Sequence, residues 1–205
     1  MRGQRQYLEA AEWNPGLDNG QRTLGMVLST LPGAEQEEIH WLVRLIENPR
    51  SPLSFPGQIS LLRHDALHVL LGRGLNNQDE AFVIGFTMGA ARATKAWHYR
   101  LFGWIARKLY PEPYRFSAED QQVFEFGLGQ GTNHAVEDVH LIPIEEKPDE
   151  TVDAIRKWVG VNVHDLHAAY RSEKILVPHT HESQRLDIDF GGIDPSAILP
   201  PRDGD

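Results

Sequence analysis

Residues 61–80 contain four side chains of the two types that bind divalent metal ions in proteins. His64, Asp65 and His68 form a His-Asp-x-x-His pattern, and Glu80 follows after eleven further residues. On an α-helix the four-residue spacing turns the second imidazole by only ~40° from the first and raises it by ~6 Å, so the two can share one ion. Asp65 lies ~100° from His64, on the same broad face. Two imidazoles with one or two carboxylates suit zinc, and also iron or manganese.

The second half of this pattern requires a reversal of the chain between the histidines and Glu80. Gly72 follows the apolar run of the motif helix and is expected to end that helix in the left-handed conformation. Turn-forming residues come next, and Asp79 and Glu80 then fall in the first turn of a new helix, where the helix dipole favours carboxylates. We therefore predict two antiparallel helices that return Glu80 to the face of His64 and His68.

The pattern of His64, Asp65, His68 and Glu80 resembles the signature of the fourth Coq protein family, which is named for ubiquinone (coenzyme Q) biosynthesis. The resemblance covers about residues 20–175, and the motif matches without a gap. It implies an all-helical fold, a bound divalent cation and an affinity for polyprenyl lipids. It also implies that the four motif residues are the metal ligands. From the ligand types, zinc is the first expectation, with iron, manganese or magnesium as alternatives.

The family is linked to oxidative loss of the carboxyl group from a prenylated hydroxybenzoate, which would make the protein a metal-dependent decarboxylase (a lyase). The cation would act as a Lewis acid on an oxygen of the ligand. Arg63 and Asp65 are the candidate catalytic residues, and Arg63 is expected to pair with the anionic head of the ligand.

Two other functions fit the same residues. The first is a lipid-binding scaffold for a quinone-biosynthesis complex, without chemistry of its own and with a structural metal. The second is a metal-dependent phosphohydrolase of the HD type, which also uses an adjacent pair such as His64-Asp65. In that class His40 would act upstream and Asp138 or Asp165 downstream, and the second histidine and the glutamate of the motif would have no necessary part.

The composition is that of an ordinary globular protein with one domain. The chain has 205 residues, of which 40% are hydrophobic and 24% charged. A net charge of −9 argues against bulk nucleic-acid binding. The absence of cysteine excludes disulfides, thiolate metal sites and a cysteine nucleophile. We expect no signal peptide and no transmembrane helix, and therefore a cytoplasmic protein or one that is peripheral on the cytoplasmic face of a membrane.

Helical periodicity dominates the chain. It predicts a helix over about residues 35–47, and a long helix from Glu80 that keeps one face apolar for nearly thirty residues until Pro111. Ser117-Ala-Glu-Asp120 resembles a capping box and is expected to open another helix. A further helix is predicted from Pro148 to about Tyr170.

The predicted fold is therefore all-α, a single-domain helical bundle in which the motif helix packs against the long antiparallel helix. Residues 1–205 form one domain with a compact part at about 20–171. Residues 172–205 are polar and contain prolines, so we expect a loosely packed, irregular C-terminal tail. Within it, residues 174–177 are the best candidate for a strand.

The segment Arg92–Arg115 reverses the acidic character of the chain. It contains six basic residues and one acid, interleaved with six aromatic residues. This pattern is typical of a surface that meets anionic lipid headgroups, and equally of a half-buried helix with a solvated basic face. The expected partners are a polyprenyl lipid or prenylated aromatic ligand, a membrane surface, other quinone-biosynthesis proteins and a second copy of the chain, but not nucleic acid.

Three smaller features of the sequence also predict local structure. The small residues at Gly85, Gly89 and nearby positions predict close helix packing. Polar residues at 134–140 recur at helical spacing and are a candidate source of a hydrogen-bond partner for a metal-bound imidazole. Residues 164–167 are expected to form a solvated helix face.

Overall fold

The computed structural model describes residues 12–32 and 59–186, and the regular secondary structure in both ranges is helical. Eight α-helices and two short 3-10 helices occur in them. The α-helices are α1 (Leu24–Leu28), α2 (Leu61–Leu71), α3 (Asn77–Ala90), α4 (Ala96–Lys108), α5 (Ala118–Thr132), α6 (Val152–Val159), α7 (Val163–Leu176) and α8 (His181–Arg185); the 3-10 helices are Val139–Leu141 and Ile144–Glu146. No strand is present in the described ranges, so the all-α prediction is confirmed. The helix predicted at 35–47, with His40, lies outside the described residues.

The motif helix begins and ends at residues whose types explain the boundaries. The Ser60 side chain accepts a hydrogen bond from the backbone N–H of Arg63, an ordinary N-terminal cap. Gly72 ends α2 in the left-handed conformation, with φ 65° and ψ 34°, as the sequence predicted. The chain then reverses, and α3 begins at Asn77 with Asp79 and Glu80 in its first turn.

Helices α3 and α5 pack with their backbones in direct contact because glycines line both sides. An added Cβ at Gly127 of α5 would lie 2.5 Å from the Phe82 carbonyl oxygen of α3. An added Cβ at Gly85 or Gly89 of α3 would overlap carbonyl oxygens of α5. The prediction that the small residues of α3 serve helix packing is therefore confirmed.

The long helix predicted from Glu80 is in fact two helices, α3 and α4, separated by residues 91–95. Two groups at the break are bonded to a distant loop. The Ala90 carbonyl accepts the N–H of Asp138 at 2.7 Å, and the Asp138 carboxylate accepts the N–H of Arg92 at 3.0 Å. Because these contacts come from a segment more than forty residues away, local periodicity could not reveal the break.

The predicted helix at 148–170 is also divided. Gly160 ends α6 in the left-handed conformation, with φ 74°, and α7 begins three residues later. The Ser117–Asp120 capping box of α5 is confirmed, since each residue bonds to the backbone of the other.

The expectation of a loose tail from residue 172 is wrong as far as residue 186. Helix α7 continues to Leu176, so residues 174–176 are helical rather than a strand. Helix α8 follows, and both Glu173 and Ser183 are fully buried. The reason is that Gln78, at the start of α3, donates buried hydrogen bonds to Glu173 and Ser183. Residues 187–205 lie outside the described residues.

Helix α3 lies between two apolar clusters, which fixes its position. One face packs into a cluster with side chains of α2, α6 and α7, and the opposite face into a second cluster with α4 and α5. The first cluster includes Leu67, Leu70, Phe82, Ile155 and Tyr170, and the second includes Ala81, Ile84, Phe102, Ile105 and Phe124. Within the described ranges, no helix combines the length and apolar character that a membrane span requires.

Candidate metal centre

Three of the four predicted ligands meet at one point between α2 and α3. His64 Nε2 lies 2.9 Å from Glu80 Oε2 and 3.0 Å from His68 Nε2. His68 Nε2 lies 3.4 Å from Glu80 Oε1. The donor atoms of these three residues all lie within 4.8 Å of one another, and they form the single such group found in the described ranges.

The local structure explains this convergence. The one-turn spacing stacks the two imidazoles on α2, with ring centroids 4.6 Å apart. The left-handed Gly72 and the turn after it bring Glu80 back from the first turn of α3. His68 is fully buried, whereas the side chains of His64 and Glu80 are 15% and 18% exposed, so the group is accessible from one side.

Charge is strongly coupled within the group. Burial opposes the protonated form of His68, but the charge and hydrogen bond of Glu80 outweigh it and raise the pKa of His68, with smaller contributions from Asp65 and Asp79. Burial also opposes ionisation of Glu80, but the charges of His68 and His64 and their hydrogen bonds hold its pKa far below the ordinary range. Glu80 is therefore an anion at neutral pH.

The donor set fits a divalent cation. Two Nε2 atoms that face each other at 3.0 Å can place only one proton between them. When both imidazoles are unprotonated at Nε2, each nitrogen offers one lone pair within 3.4 Å of an oxygen of the ionised Glu80 carboxylate. Two neutral imidazoles and one carboxylate are a common zinc ligand set, and a cation would satisfy all three groups at once.

Asp65 is placed differently from the other predicted ligands. It is half-buried on α2 and is not one of the three residues whose donor atoms converge. Its negative charge reaches the centre as one of the influences that raise the pKa of His68.

Arg63 is engaged with a neighbouring segment. Its Nε and Nη2 donate to the carboxylate of Glu145 at 2.8 and 2.7 Å, and its Nη1 donates to the His140 carbonyl at 2.8 Å. The pair holds the first turn of α2 against the 3-10 helices. A role for Arg63 in pairing with an anionic ligand would require it to share these bonds.

The polar residues at 134–140 do not form the α-helix that their spacing suggested. Asp138 has a positive φ of 56°, and a 3-10 helix follows it. His134 Nε2 lies 3.0 Å from the Val159 carbonyl oxygen, so this imidazole is bonded to the end of α6. Among the described residues, His68 Nδ1 has no hydrogen-bond partner, so neither His134 nor His140 orients that imidazole by a direct bond.

Two buried residues that interact with the centre could not be identified from the motif. Tyr110 is buried, and its pKa is raised by burial and then by the negative charge of Glu80, so the phenol lies within electrostatic range of the carboxylate. Asp79, next to Glu80, is buried beside Arg73 and Arg185. Burial raises the pKa of Asp79 although both arginines favour its charged form.

Helix α4 carries two exposed tryptophans, one on each side of its middle. Trp97 is 58% exposed and Trp104 54%, and their seven-residue spacing places them on one face. Leu109, just beyond the helix, is 61% exposed, whereas Phe102 and Tyr110 of the same segment are buried. The exposed basic residues around them are Arg92, Lys95, Arg100, Arg107 and Lys108. We call these exposed residues the α4 surface.

The other polar cluster behaves as expected. His164 and Asp165 have side chains that are 85% and 78% exposed on α7, which confirms a solvated helix face.

Comparisons with protein-family models, with curated proteins and with solved structures find no match to this chain. The resemblance noted above therefore stands on the motif residues themselves.

Proposed function

We propose that His64, His68 and Glu80 hold a divalent cation, with zinc as the first candidate, and that the protein binds a polyprenyl lipid or prenylated hydroxybenzoate beside it. The observation that carries this proposal is the meeting of two imidazole nitrogens and a half-buried, ionised carboxylate from two helices. The spacing of the motif, with its resemblance to the fourth Coq protein family, supports prenylquinone biosynthesis as the context.

The number of donors favours a catalytic cation over a structural one. Structural zinc sites close a tetrahedron with four protein ligands, whereas catalytic sites use three and leave one position for water or substrate. Three residues converge here, and two of them are partly exposed. The cation would supply Lewis acidity toward a carboxylate or phenolate oxygen. The proposed reaction, oxidative decarboxylation, releases carbon dioxide and also needs an electron acceptor, for which we name dioxygen.

A membrane surface is the proposed source of the lipid. Trp97 and Trp104 are large amphipathic side chains of the kind that lie at membrane interfaces. The same segment carries five exposed basic side chains, of which Arg92 pairs with Glu137, on a chain whose net charge is −9. This local reversal of charge complements anionic lipid headgroups.

The cation is tested by mass spectrometry of untagged protein loaded in turn with zinc, iron, manganese and magnesium. We expect about one ion per chain in the wild type, and loss of that ion in His64→Ala and Glu80→Ala. His164→Ala, which removes an exposed histidine of α7, is the matched control and should bind as the wild type does. An absence of bound metal in the wild type would refute the proposed centre. Circular dichroism checks that each variant remains helical.

Ligand and reaction are tested on the metal-loaded protein. Prenylated hydroxybenzoate labelled in its carboxyl group should bind, and labelled carbon dioxide should be released in the presence of dioxygen but not with Glu80→Ala. Binding without release would favour the alternative of a lipid-binding scaffold. If neither occurs, the proposed substrate class is wrong.

The membrane surface is tested by sedimentation with phosphatidylcholine vesicles that contain about one third phosphatidylserine. Trp97→Ala/Trp104→Ala should bind at least about tenfold more weakly, because burying half of each ring contributes ~1 kcal/mol or more. Trp158→Ala, which removes a tryptophan that is 45% exposed on α6, is the control. Equal loss in both variants, or equal binding to vesicles without phosphatidylserine, would contradict the role of the α4 surface.

A further inference from the structure

A network of buried charges joins the C-terminal segment to the turn between α2 and α3. Arg73 Nη1 donates to Glu173 Oε1 at 3.0 Å, and a second bond joins Arg73 Nη2 to Glu173 Oε2. Arg73 also lies 3.6 Å from Asp79 Oδ1, and Arg185 Nη2 donates to Asp79 Oδ2 at 2.6 Å. The side chains of Arg73 and Glu173 are fully buried, and that of Asp79 is 3% exposed.

Hydrogen bonds from the neutral side chain of Gln78 extend the network along the first turn of α3. Gln78 Nε2 donates to Glu173 Oε1 at 2.8 Å and to Ser183 Oγ at 3.0 Å. Glu173 and Ser183 therefore contact α3 from a segment about one hundred residues away in the chain. Two successive residues of α3, Gln78 and Asp79, are thus held by α7 and α8.

The network is attached to the candidate metal centre at both ends. The backbone N–H of Arg73 donates to the His68 carbonyl at 2.9 Å, so the network begins at the last turn of the histidine helix. At its other end Asp79 directly precedes Glu80. Any shift of Asp79 moves the backbone from which the Glu80 carboxylate reaches His64.

Stability alone does not explain so many buried charges. Well-packed apolar side chains usually stabilise a fold as well as a buried ion pair does, because removing charges from water is costly. What an ion-pair network adds is a defined geometry. The Arg73 guanidinium is held in one such geometry, since its central carbon lies 3.9 Å and 4.1 Å from the ring centroids of Phe82 and Tyr170.

We infer that residues 173–185 are a positioning part of the metal centre, in which Glu173 and Arg185 hold the first turn of α3 so that Glu80 meets the two histidines. This inference rests on the proposed function, because it requires that the centre binds a cation. None of these residues is a candidate ligand. Their effect is on where the Glu80 carboxylate lies.

Arg185 is the residue to change, because its side chain is 16% exposed and its loss disturbs the core less than loss of Arg73. The probe is Co²⁺, with its dissociation constant measured by chelator competition and its coordination followed by visible absorption. Arg185→Ala should bind Co²⁺ about 10- to 100-fold more weakly, the usual effect of removing a residue that orients a ligand. Its absorption spectrum should also change. Arg185→Lys, which keeps the charge, should recover most of the affinity.

One control variant and a second test variant separate positioning from folding. Arg22→Ala, at an exposed arginine beside α1, should leave the Co²⁺ affinity and spectrum unchanged. Ser183→Ala removes one hydrogen-bond partner of Gln78 and should weaken binding about fivefold, so the inference stays testable if Arg185→Ala does not fold. Urea unfolding of each metal-free variant shows whether it is folded under the assay conditions.

The outcomes distinguish this inference from the proposed function. If folded Arg185→Ala and Ser183→Ala both bind Co²⁺ within about twofold of the wild type with the same spectrum, the network has no positioning role and only this inference fails. If the wild type binds no Co²⁺, the metal centre itself is refuted, and the inference with it.

Discussion

Alanine at Gly127 is expected to destabilise the fold, whereas alanine at Gly129, two residues along the same helix, is expected to stabilise it. A Cβ at Gly127 would lie 2.5 Å from the Phe82 carbonyl oxygen and 3.1 Å from its Cα. Ordinary contact begins at 3.4 Å, so α3 and α5 must separate by roughly 0.9 Å at this point. A Cβ at Gly129 would meet no atom within 4 Å.

The magnitudes follow from these distances. Overpacking a core position costs about 1–3 kcal/mol, and the upper end applies to Gly127 because the obstructing atoms are backbone and cannot rotate away. Alanine gains ~1 kcal/mol over glycine in a helix interior, and it gains this at both positions. The expected net change is therefore a loss of ~2 kcal/mol at Gly127 and a gain of up to ~1 kcal/mol at Gly129, a difference of ~3 kcal/mol.

Urea unfolding followed by circular dichroism measures this difference directly. With a slope of about 1–3 kcal/mol per molar urea, the two midpoints should differ by about 1 M or more. Gly127→Ala should also weaken Co²⁺ binding, because Phe82 lies two residues from Glu80 on α3, whereas Gly129→Ala should not. Equal stability of the two variants would refute the backbone contact between α3 and α5.

Two further predictions concern charge. Glu145→Gln should destabilise the fold by about 1–2 kcal/mol, because the Arg63 guanidinium loses a charged acceptor. A double-mutant cycle with Arg63→Met tests this. If the two effects are additive, the ion pair contributes nothing to the stability of the fold. Zinc affinity should rise with pH between about 5 and 8, with release of a proton. Burial opposes the protonated form of His68, but the charge of Glu80 outweighs burial and raises the pKa of His68. Zinc must therefore displace a proton from this imidazole. The stability of the metal-free fold should instead fall as pH rises. Because folding raises the pKa of His68, its protonation stabilises the fold fully below pH ~6.5, and this contribution is lost as pH rises through the raised pKa. Calorimetry in buffers of different ionisation enthalpy counts the proton, and binding without proton release between pH 5 and 8 would contradict the assignment.

The meeting of His64, His68 and Glu80 could be predicted from the sequence because the steps that bring these side chains together are local. Helical spacing aligns His64 with His68, a glycine ends the helix, and the turn returns Glu80 within one chain reversal. Each step depends on residues no more than about a dozen positions apart. Asp65 shows the limit of this reasoning, since sharing a broad helix face did not bring its carboxylate into the group of three.

The break between α3 and α4 could not be predicted for the opposite reason. The apolar pattern continues through residues 91–95, and nothing there is a strong helix breaker. The helix ends because Asp138 satisfies the Ala90 carbonyl and the Arg92 N–H. The packing of Glu173 and Ser183 against Gln78 is equally remote in sequence, which is why the C-terminal segment was expected to be loose.

The position of Glu80 also bears on the choice between functions. A phosphohydrolase of the HD type needs the adjacent His64 and Asp65 but gives Glu80 no necessary part, and its candidate Asp165 is 78% exposed on α7. Keeping a carboxylate ionised in a largely buried place costs free energy unless a positive charge is close by. At Glu80 the charges of His68 and His64 have this effect on the pKa of the carboxyl group, and a bound cation would replace them. The placement of this carboxylate against two histidines therefore supports the proposed metal-binding function over the phosphohydrolase. Glu80→Gln, which keeps the shape and removes the charge, is therefore expected to abolish metal binding, whereas phosphohydrolase activity that survives this change would reverse the assignment.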